Sequence, residues 1–253
     1  MNLKNKIEWL DGGATFNPIT GCYGPNGKTC QYCYAKKIAE RFGGIHKPFE
    51  DIIDLKNPLY RNGRKTPFPY GFQPTFHRYR LDEPQKIKKR QNIFVCSMAD
   101  LFHDSIPDSW IRMVFEACEK APQHRYLFLT KNPKRYTVDN IYNKMPSSNN
   151  FWFGTSCTTQ NDEYYFNYRS CNTFLSIEPI HGNFDKYKQI SVQWVIIGAK
   201  TGSRKGKVIP KREWIENIVS ECREQNVPVF LKNSLSEIWG EPLIQEYPWK
   251  EGK

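Results

Sequence analysis

Short apolar, β-rich runs recur along most of the chain, each followed by a helical or polar segment. In order they are residues 14–21, TFHRY near Thr75, NIFVCSM from Asn92, RYLFLT from Arg125, FWFGTS from Phe151, TFLSIEP from Thr173, WVIIGA from Trp194 and PVFLK from Pro228. Parallel strands need long crossovers and are covered on both faces, so this alternation implies a parallel sheet packed against helices. Eight such units predict a closed (β/α)8 TIM-like barrel, and 253 residues suit one barrel domain over 1–253. An open doubly wound sheet is the other arrangement the pattern allows. Two intervening segments are clearly amphipathic. Ile111, Val114, Phe115 and Cys118 form one helical stripe, and Ile215, Ile218, Val219 and Cys222 form another in the same register. Cys118 and Cys222 are therefore expected in the core.

Barrels of this kind place their chemistry at the carboxyl ends of the strands. Those ends carry a cysteine-rich loop, then His77 and Arg78, then Ser97, Asp100 and His103, then Thr130 and Lys131. Thr155 and Ser156 follow, then Glu178, then Gly198 with Lys200, Thr201 and Gly202, and last Lys232 and Asn233. Any one of these is most simply a satisfied loop residue. Polar or charged groups at nearly every strand end have no purely structural reason. Ser97, Asp100, Thr130, Lys131 and Glu178 are the candidates for holding a cofactor or substrate, and Lys131 and Lys200 suit a phosphate or carboxylate.

The loop from Gly21 reads GCYGPNGKTCQYCY and spaces Cys22, Cys30 and Cys33 as C-x7-C-x2-C. Gly24, Pro25 and Gly27 make the first gap irregular. A helix is expected over residues 31–42, with Ala35, Ile38, Ala39 and Phe42 on one face and Gly43 and Gly44 as its stop. Thiolates at the mouth of a helix are eased toward ionisation and suit soft metals. Eight cysteines in a chain of this length are no disulfide scaffold, and MNLKNKIEWL lacks the apolar core of an export signal. Reduced thiols in the cytoplasm are the expectation, with no membrane span. A structural zinc wants a fourth ligand, which Cys96, Cys157 or His103 could supply. An iron–sulfur cluster on three cysteines leaves one iron open.

Basic residues number 37 against 26 acidic, a net charge of +11 that favours anionic partners. Residues 56–81 contain no acid. They carry Lys56, Arg61, Arg64, Lys65, Arg78 and Arg80, interleaved with Tyr60, Phe68, Tyr70, Phe72, Phe76 and Tyr79. Prolines at 58, 67, 69 and 74 forbid a long helix. The region near residues 45–75 reads as a long basic and aromatic insertion suited to phosphates and bases.

The motifs together resemble a family. IEW near Glu8, FNPITGC ending at Cys22, CQYCYA from Cys30 and FHRYRLDEP from Phe76 are followed by FVCSMADLFHDSIPD from Phe94 and APQHRYLFLTKNPKR from Ala121. FGTSCTTQND from Phe153, FLSIEPIHG from Phe174, WVIIGAKTG from Trp194 and VPVFLKN from Val227 complete the set. They resemble the phage and bacterial Gp-type domain of unknown function, described as radical S-adenosylmethionine-like. Phe16 stands where that family usually has tryptophan, and GAKTG replaces a GGESG-like turn, putting Lys200 in place of an acid. Tyr32 directly before Cys33 is a further likeness to radical S-adenosylmethionine enzymes, whose usual spacing is C-x3-C-x2-C.

The resemblance implies a [4Fe–4S] cluster on Cys22, Cys30 and Cys33, whose open iron chelates S-adenosylmethionine, and the generation of a 5′-deoxyadenosyl radical. Asp100, Lys131 and Glu178 become the expected catalytic groups. Ser97, Thr130, Glu178 and Lys200 become the expected cofactor contacts. The net charge and the basic aromatic stretch make the expected substrate a nucleic acid or nucleotide that is modified or repaired. The implied electron donor is a flavodoxin or ferredoxin, and the setting is the cytoplasm of a bacterium or phage-infected host. Two other classes fit some of the residues. A metal-dependent hydrolase on the same barrel would use His77, Asp100, His103 and Glu178 as ligands. A zinc-stabilised nucleic-acid-binding protein would use the basic stretch and need no strand-end acids.

Overall fold

The structure is a computed structural model that describes residues 1–3, 5–44, 52–164, 171–184, 191–201 and 208–250. The first part of the expected insertion, residues 45–51, and Gly202 lie outside the described residues. The chain opens with β1 (Ala14–Phe16) and β2 (Ile19–Thr20), crosses the cysteine loop and enters α1 (Tyr34–Phe42). Then come β3 (Ile53–Leu55), β4 (Tyr60–Arg61), β5 (Arg64–Lys65) and β6 (Thr75–His77). The regular part follows with β7 (Asn92–Val95), α2 (Asp108–Glu119), β8 (Arg125–Thr130) and α3 (Asp139–Tyr142). It continues with β9 (Phe151–Cys157), β10 (Asn172–Ile177), β11 (Val195–Ile197), α4 (Arg212–Glu224), β12 (Val229–Leu231) and α5 (Ser236–Trp239).

Seven strands form one parallel sheet in the order β1-β7-β8-β9-β10-β11-β12. The order never reverses. Crossovers of one hand then put the connections on one face, which curls the sheet into a half-barrel and excludes the doubly wound alternative. Among the described residues the end strands β1 and β12 do not pair with each other, so the complete eight-stranded closure is not what this sheet displays.

Two sequence expectations are corrected here. The run at Thr75 is a strand, but it leaves the barrel sheet: β6 pairs antiparallel with β2 and parallel with β3 in a separate three-stranded sheet. Residues 14–21 are not one strand either. The chain breaks at Asn17 and Pro18, so β1 joins the large sheet and β2 the small one. His77, at the end of β6, consequently does not end a strand of the large sheet.

Alternation along each strand sorts the core into two faces. Ile93, Val95, Tyr126, Phe128, Phe151 and Phe153 point to the helices, where they meet the stripe of Ile111, Val114 and Phe115 on α2. Leu175, Ile177, Val195, Ile197, Val229 and Leu231 meet Ile215, Ile218 and Val219 of α4 in the same way. Both expected stripes are buried, and Cys118 and Cys222 with them.

The intervening residues Phe94, Leu127, Trp152, Phe174, Ile196 and Phe230 point to the other face. Both chain ends cover it: Trp9 and Leu10 from one side, Tyr247 and Trp249 from the other. Full burial of a large apolar side chain contributes about 1.5–3 kcal/mol, which applies to Trp9 and Leu10, while Tyr247 and Trp249 are half-buried and contribute less. Gly154 has no side chain on this face because the Phe174 ring occupies the place: a Cβ there would lie 2.5 Å from ring carbons.

Candidate functional site

Parallel register brings the carboxyl ends of the strands to one edge. Phe16 is opposite Val95, Thr130 opposite Thr155, Ile177 opposite both Cys157 and Ile197, and Ile197 opposite Leu231. Ser97, Lys131, Ser156, Glu178, Gly198 and Lys232 all follow these residues directly or within two positions, so they share one rim.

The break at Asn17 delivers the cysteine loop to that rim. Its side-chain oxygen accepts the Met98 N–H at 3.0 Å and the Ser97 hydroxyl at 3.2 Å. The Gly21 N–H donates to the Met98 carbonyl at 2.9 Å, and the Cys22 N–H donates to the Phe72 carbonyl at 3.2 Å. On the far side of the loop the Tyr34 hydroxyl donates to the Ser97 carbonyl at 2.5 Å. The turn that receives these bonds is led by Cys96, whose φ of 57° is a left-handed conformation that costs a non-glycine residue energy.

His103 closes the clasp. Its Nδ1 accepts the Ser105 N–H at 3.0 Å, which fixes the tautomer, and Nε2–H then donates to the Gly24 carbonyl at 3.0 Å. Both ring nitrogens are occupied in holding the loop. His77 is fully buried, with Nε2 at 2.8 Å from the Thr20 hydroxyl and Nδ1 at 3.2 Å from that of Tyr79; burial first, then Arg80, keeps it neutral. The structure does not gather His77, Asp100, His103 and Glu178 into a ligand set.

The three loop cysteines differ from the rest. Cys22, Cys30 and Cys33 are half-buried, whereas Cys96, Cys118, Cys157, Cys171 and Cys222 are buried. Cys33 caps α1, its sulfur accepting the Lys36 N–H at 3.4 Å, so the helix starts at Tyr34 and not at the expected residue 31. Of the expected apolar stripe on α1 only Ala35 and Ala39 are buried; Ile38 and Phe42 stay exposed.

The Cys22 sulfur accepts the Gly24 N–H at 3.1 Å. Burial, then the Asp100 carboxylate, pushes its thiol up to about 12. Burial also raises Cys30; Lys131 opposes this and Cys33 adds to it. Among the described residues no three His, Cys, Asp or Glu side chains are already arranged around one metal point. The donor set nevertheless fits a soft cluster: three thiols share one loop, burial raises two of them, Cys22 and Cys30, and the Cys22 and Cys33 sulfurs each receive a backbone N–H, so a bound cation would relieve the buried pair.

The Asp100 carboxylate is consumed within the protein. One oxygen accepts the Thr130 hydroxyl at 2.7 Å and the Phe102 N–H at 3.0 Å; the other accepts the Lys131 N–H at 2.9 Å. It ties the β7 turn to the end of β8. Asp100 and Thr130 thus join two strand ends in this arrangement.

Lys131 itself points onward. Its ammonium donates to Ser156 Oγ at 2.6 Å, lies 5.6 Å from the Tyr32 ring centre and favours the Cys30 thiolate. Tyr32 in turn meets His181 edge-on at 6.2 Å. The cysteine loop therefore reaches across the rim from β7 to the turn after β10.

Glu178 and Lys232 form an ion pair over the end of β11. Gly198 makes room for it, since a Cβ there would come within 2.9 Å of Lys232 Cδ and 3.3 Å of Glu178 Cδ. Lys200, half-buried, lies close enough to help depress His181 after burial has lowered it. Asp162 organises the adjoining loop by accepting the Thr158 N–H at 2.5 Å and the Thr159 N–H at 3.0 Å. Burial would raise its carboxyl, and these bonds outweigh that and hold it below the usual range.

Asn17, Tyr34, His181 and Asp162 were not legible as site residues. Asn17, His181 and Asp162 are lone polar residues in loops and Tyr34 opens a helix, types that are usually satisfied locally. Only position could have marked them: Asn17 five residues before Cys22, and His181 three after Glu178.

The chain belongs to a family of proteins of unknown function, DUF5131, whose model matches residues 4–245. No curated protein and no solved structure matched it. The family agrees with the uncharacterised domain expected from the motifs and is silent on radical chemistry. No helix among the described residues is long and apolar enough to cross a membrane.

Proposed function

We propose that the protein is a radical S-adenosylmethionine enzyme that modifies or repairs a nucleic acid or nucleotide, with Cys22, Cys30 and Cys33 as the ligands of a [4Fe–4S] cluster. One observation carries this reading. Of eight cysteines, only these three are accessible, and they share one loop pinned over the carboxyl rim of a parallel half-barrel. A cluster bound there supplies the single electron that reductive cleavage of the S-adenosylmethionine sulfonium requires.

The chain's own groups have separable tasks. Asn17, His103 and Asp100 hold the loop and the strand ends in place. Glu178, already opposed to Lys232, offers a carboxylate to an ammonium or to ribose hydroxyls. Ser97 and Lys200 complete the proposed cofactor contacts. Lys131, beside Cys30 and Ser156, offers a cation to a carboxylate or phosphate. The half-barrel is read as the incomplete form of the eight-stranded barrel. A flavodoxin or ferredoxin in the cytoplasm of a bacterium or phage-infected host is the proposed electron source.

Anaerobic purification with metal analysis tests the reading directly. Iron and sulfide at about four each per chain, with 5′-deoxyadenosine released from S-adenosylmethionine on reduction, is the expected result. Stoichiometric zinc without iron after anaerobic reconstitution overturns it and favours a structural metal.

A further inference from the structure

The cations of the basic stretch separate into two groups. Arg78 forks onto Asp54, with Nε–Oδ1 and Nη2–Oδ2 both at 2.6 Å. Arg80 donates to the Asn17 and Pro67 carbonyls, each at 2.9 Å. These two hold the fold together. Arg61, Arg64 and Lys65 instead lie on the exposed hairpin of β4 and β5. For the side chains of Arg61 and Arg64 the structure records no hydrogen bond or ion pair among the described residues. Lys65 rests 5.5 Å from the Tyr79 ring centre.

The hairpin is built by its turn. Asn62 and Gly63 both have positive φ, 49° and 72°, the type I′ geometry that Asn-Gly favours. That register sets Tyr60 opposite Lys65 and Arg61 opposite Arg64. Like charges directly opposite one another oppose pairing, and strands this short bury nothing in return. Folding alone gives no reason for the arrangement. Tyr60, 57% exposed, adds a free aromatic face on the side of the hairpin that carries Lys65, with the two arginines on the other side, so a strand passing over the tip meets both.

The base of the hairpin is firm. The Thr66 N–H donates to the Leu59 carbonyl at 2.9 Å, and Phe68 packs on Ala35, Ala39 and Met98 next to Cys33. The projection is therefore rooted beside the cysteine loop.

We infer that the β4–β5 hairpin is a clamp for single-stranded nucleic acid, which makes the substrate a polynucleotide and not a free nucleotide. This rests on the nucleic-acid part of the proposed function. Guanidinium forks match phosphodiester oxygens, and the two arginines stop repelling when an anion lies between them. An exposed tyrosine face stacks on an unpaired base, which a duplex does not offer. A lipid surface would call for more than one apolar side chain at the tip, and Tyr60 stands alone there.

Fluorescence anisotropy with labelled single-stranded DNA and RNA of one sequence, the corresponding duplexes, and anionic phosphatidylserine vesicles tests this. The variants are R61E/R64E/K65E, Y60A and R61E alone. K88E/K89E/R90E is the control, with the same charge change on an exposed run just before β7, at the amino end of the sheet. The parent should bind single strands, DNA or RNA, more tightly than duplex or vesicles. The hairpin triple variant should lower the slope of log affinity against log salt by about 2. Y60A should weaken binding about tenfold. R61E should weaken binding while its melting temperature stays level or rises, because it puts a glutamate opposite Arg64.

Equal loss in the two triple variants, a preference for duplex or vesicles, or no single-strand binding by the parent overturns the inference. Iron content and 5′-deoxyadenosine release are measured on the same preparations. Failure of the radical reading appears there and leaves the binding isotherms untouched.

Discussion

Gly21 and Phe72 are in contact through backbone alone: a Cβ on Gly21 would lie 2.6 Å from the Phe72 carbonyl oxygen, with the Gln73 backbone nearer still. The same residue has φ of 83°, a conformation that glycine adopts freely and other residues rarely do. Its neighbour Cys22 donates its N–H to that same Phe72 carbonyl. The first proposed ligand is therefore placed by the insertion as much as by the barrel.

Gly21→Ala should displace Cys22 and part the loop from the insertion. We expect melting to fall by the equivalent of about 2 kcal/mol or more and iron content after reconstitution to drop. Parent-like iron and melting temperature would show that the insertion yields without moving the loop.

Cys22→Ala, Cys30→Ala and Cys33→Ala should each abolish the iron absorbance of anaerobic protein. Cys118→Ala and Cys222→Ala should keep it, since both thiols are fully buried among the helix stripes, at a cost of about 1 kcal/mol for a small cavity. Iron retained in any of the first three removes that cysteine from the ligand set.

Asp100→Asn and Glu178→Gln should behave differently. In the first, the introduced amide NH2 would face a donor where a carboxylate oxygen had accepted one, donor against donor, so folding stability should fall by about 1–3 kcal/mol. Glu178→Gln leaves Lys232 unpaired at a partly open rim, so melting should change little while S-adenosylmethionine affinity, read by calorimetry, falls severalfold. A stable Asp100→Asn variant with impaired turnover would instead support the catalytic role expected of Asp100.

Asp162 has its carboxyl lowered in the folded protein, so its stabilising contribution is present above the ordinary carboxylate range and is lost as pH falls through the lowered value. Asp162→Asn should destabilise by about 1–2 kcal/mol at pH 7. The difference from the parent should shrink below about pH 4. A gap that is constant from pH 7 to pH 3 in denaturant titrations would assign the loss to packing.

Much of the frame was legible because it is written in local periodicity. The stripes of α2 and α4 follow from a repeat of 3.6, and seven of the eight apolar runs became strands of one parallel sheet because buried parallel strands are apolar on both faces. The identity of the three exceptional thiols was also legible, from loop residues that keep them out of any stripe. Tertiary structure alone decided the remainder. TFHRY has the composition of a barrel strand, yet it pairs with β2 and β3, a choice set by partners up to 57 residues away in the Thr20–His77 contact. Asp100 reads as a strand-end acid, but Thr130, Lys131 and Phe102 close around it. Arg78 and Arg61 are the same residue type in one acid-free stretch, and only the position of Asp54 makes the first structural and leaves the second exposed. Periodicity reports which way a side chain points relative to its own element, whereas its partner depends on which distant segments the folded chain brings near, and no short-range pattern encodes that.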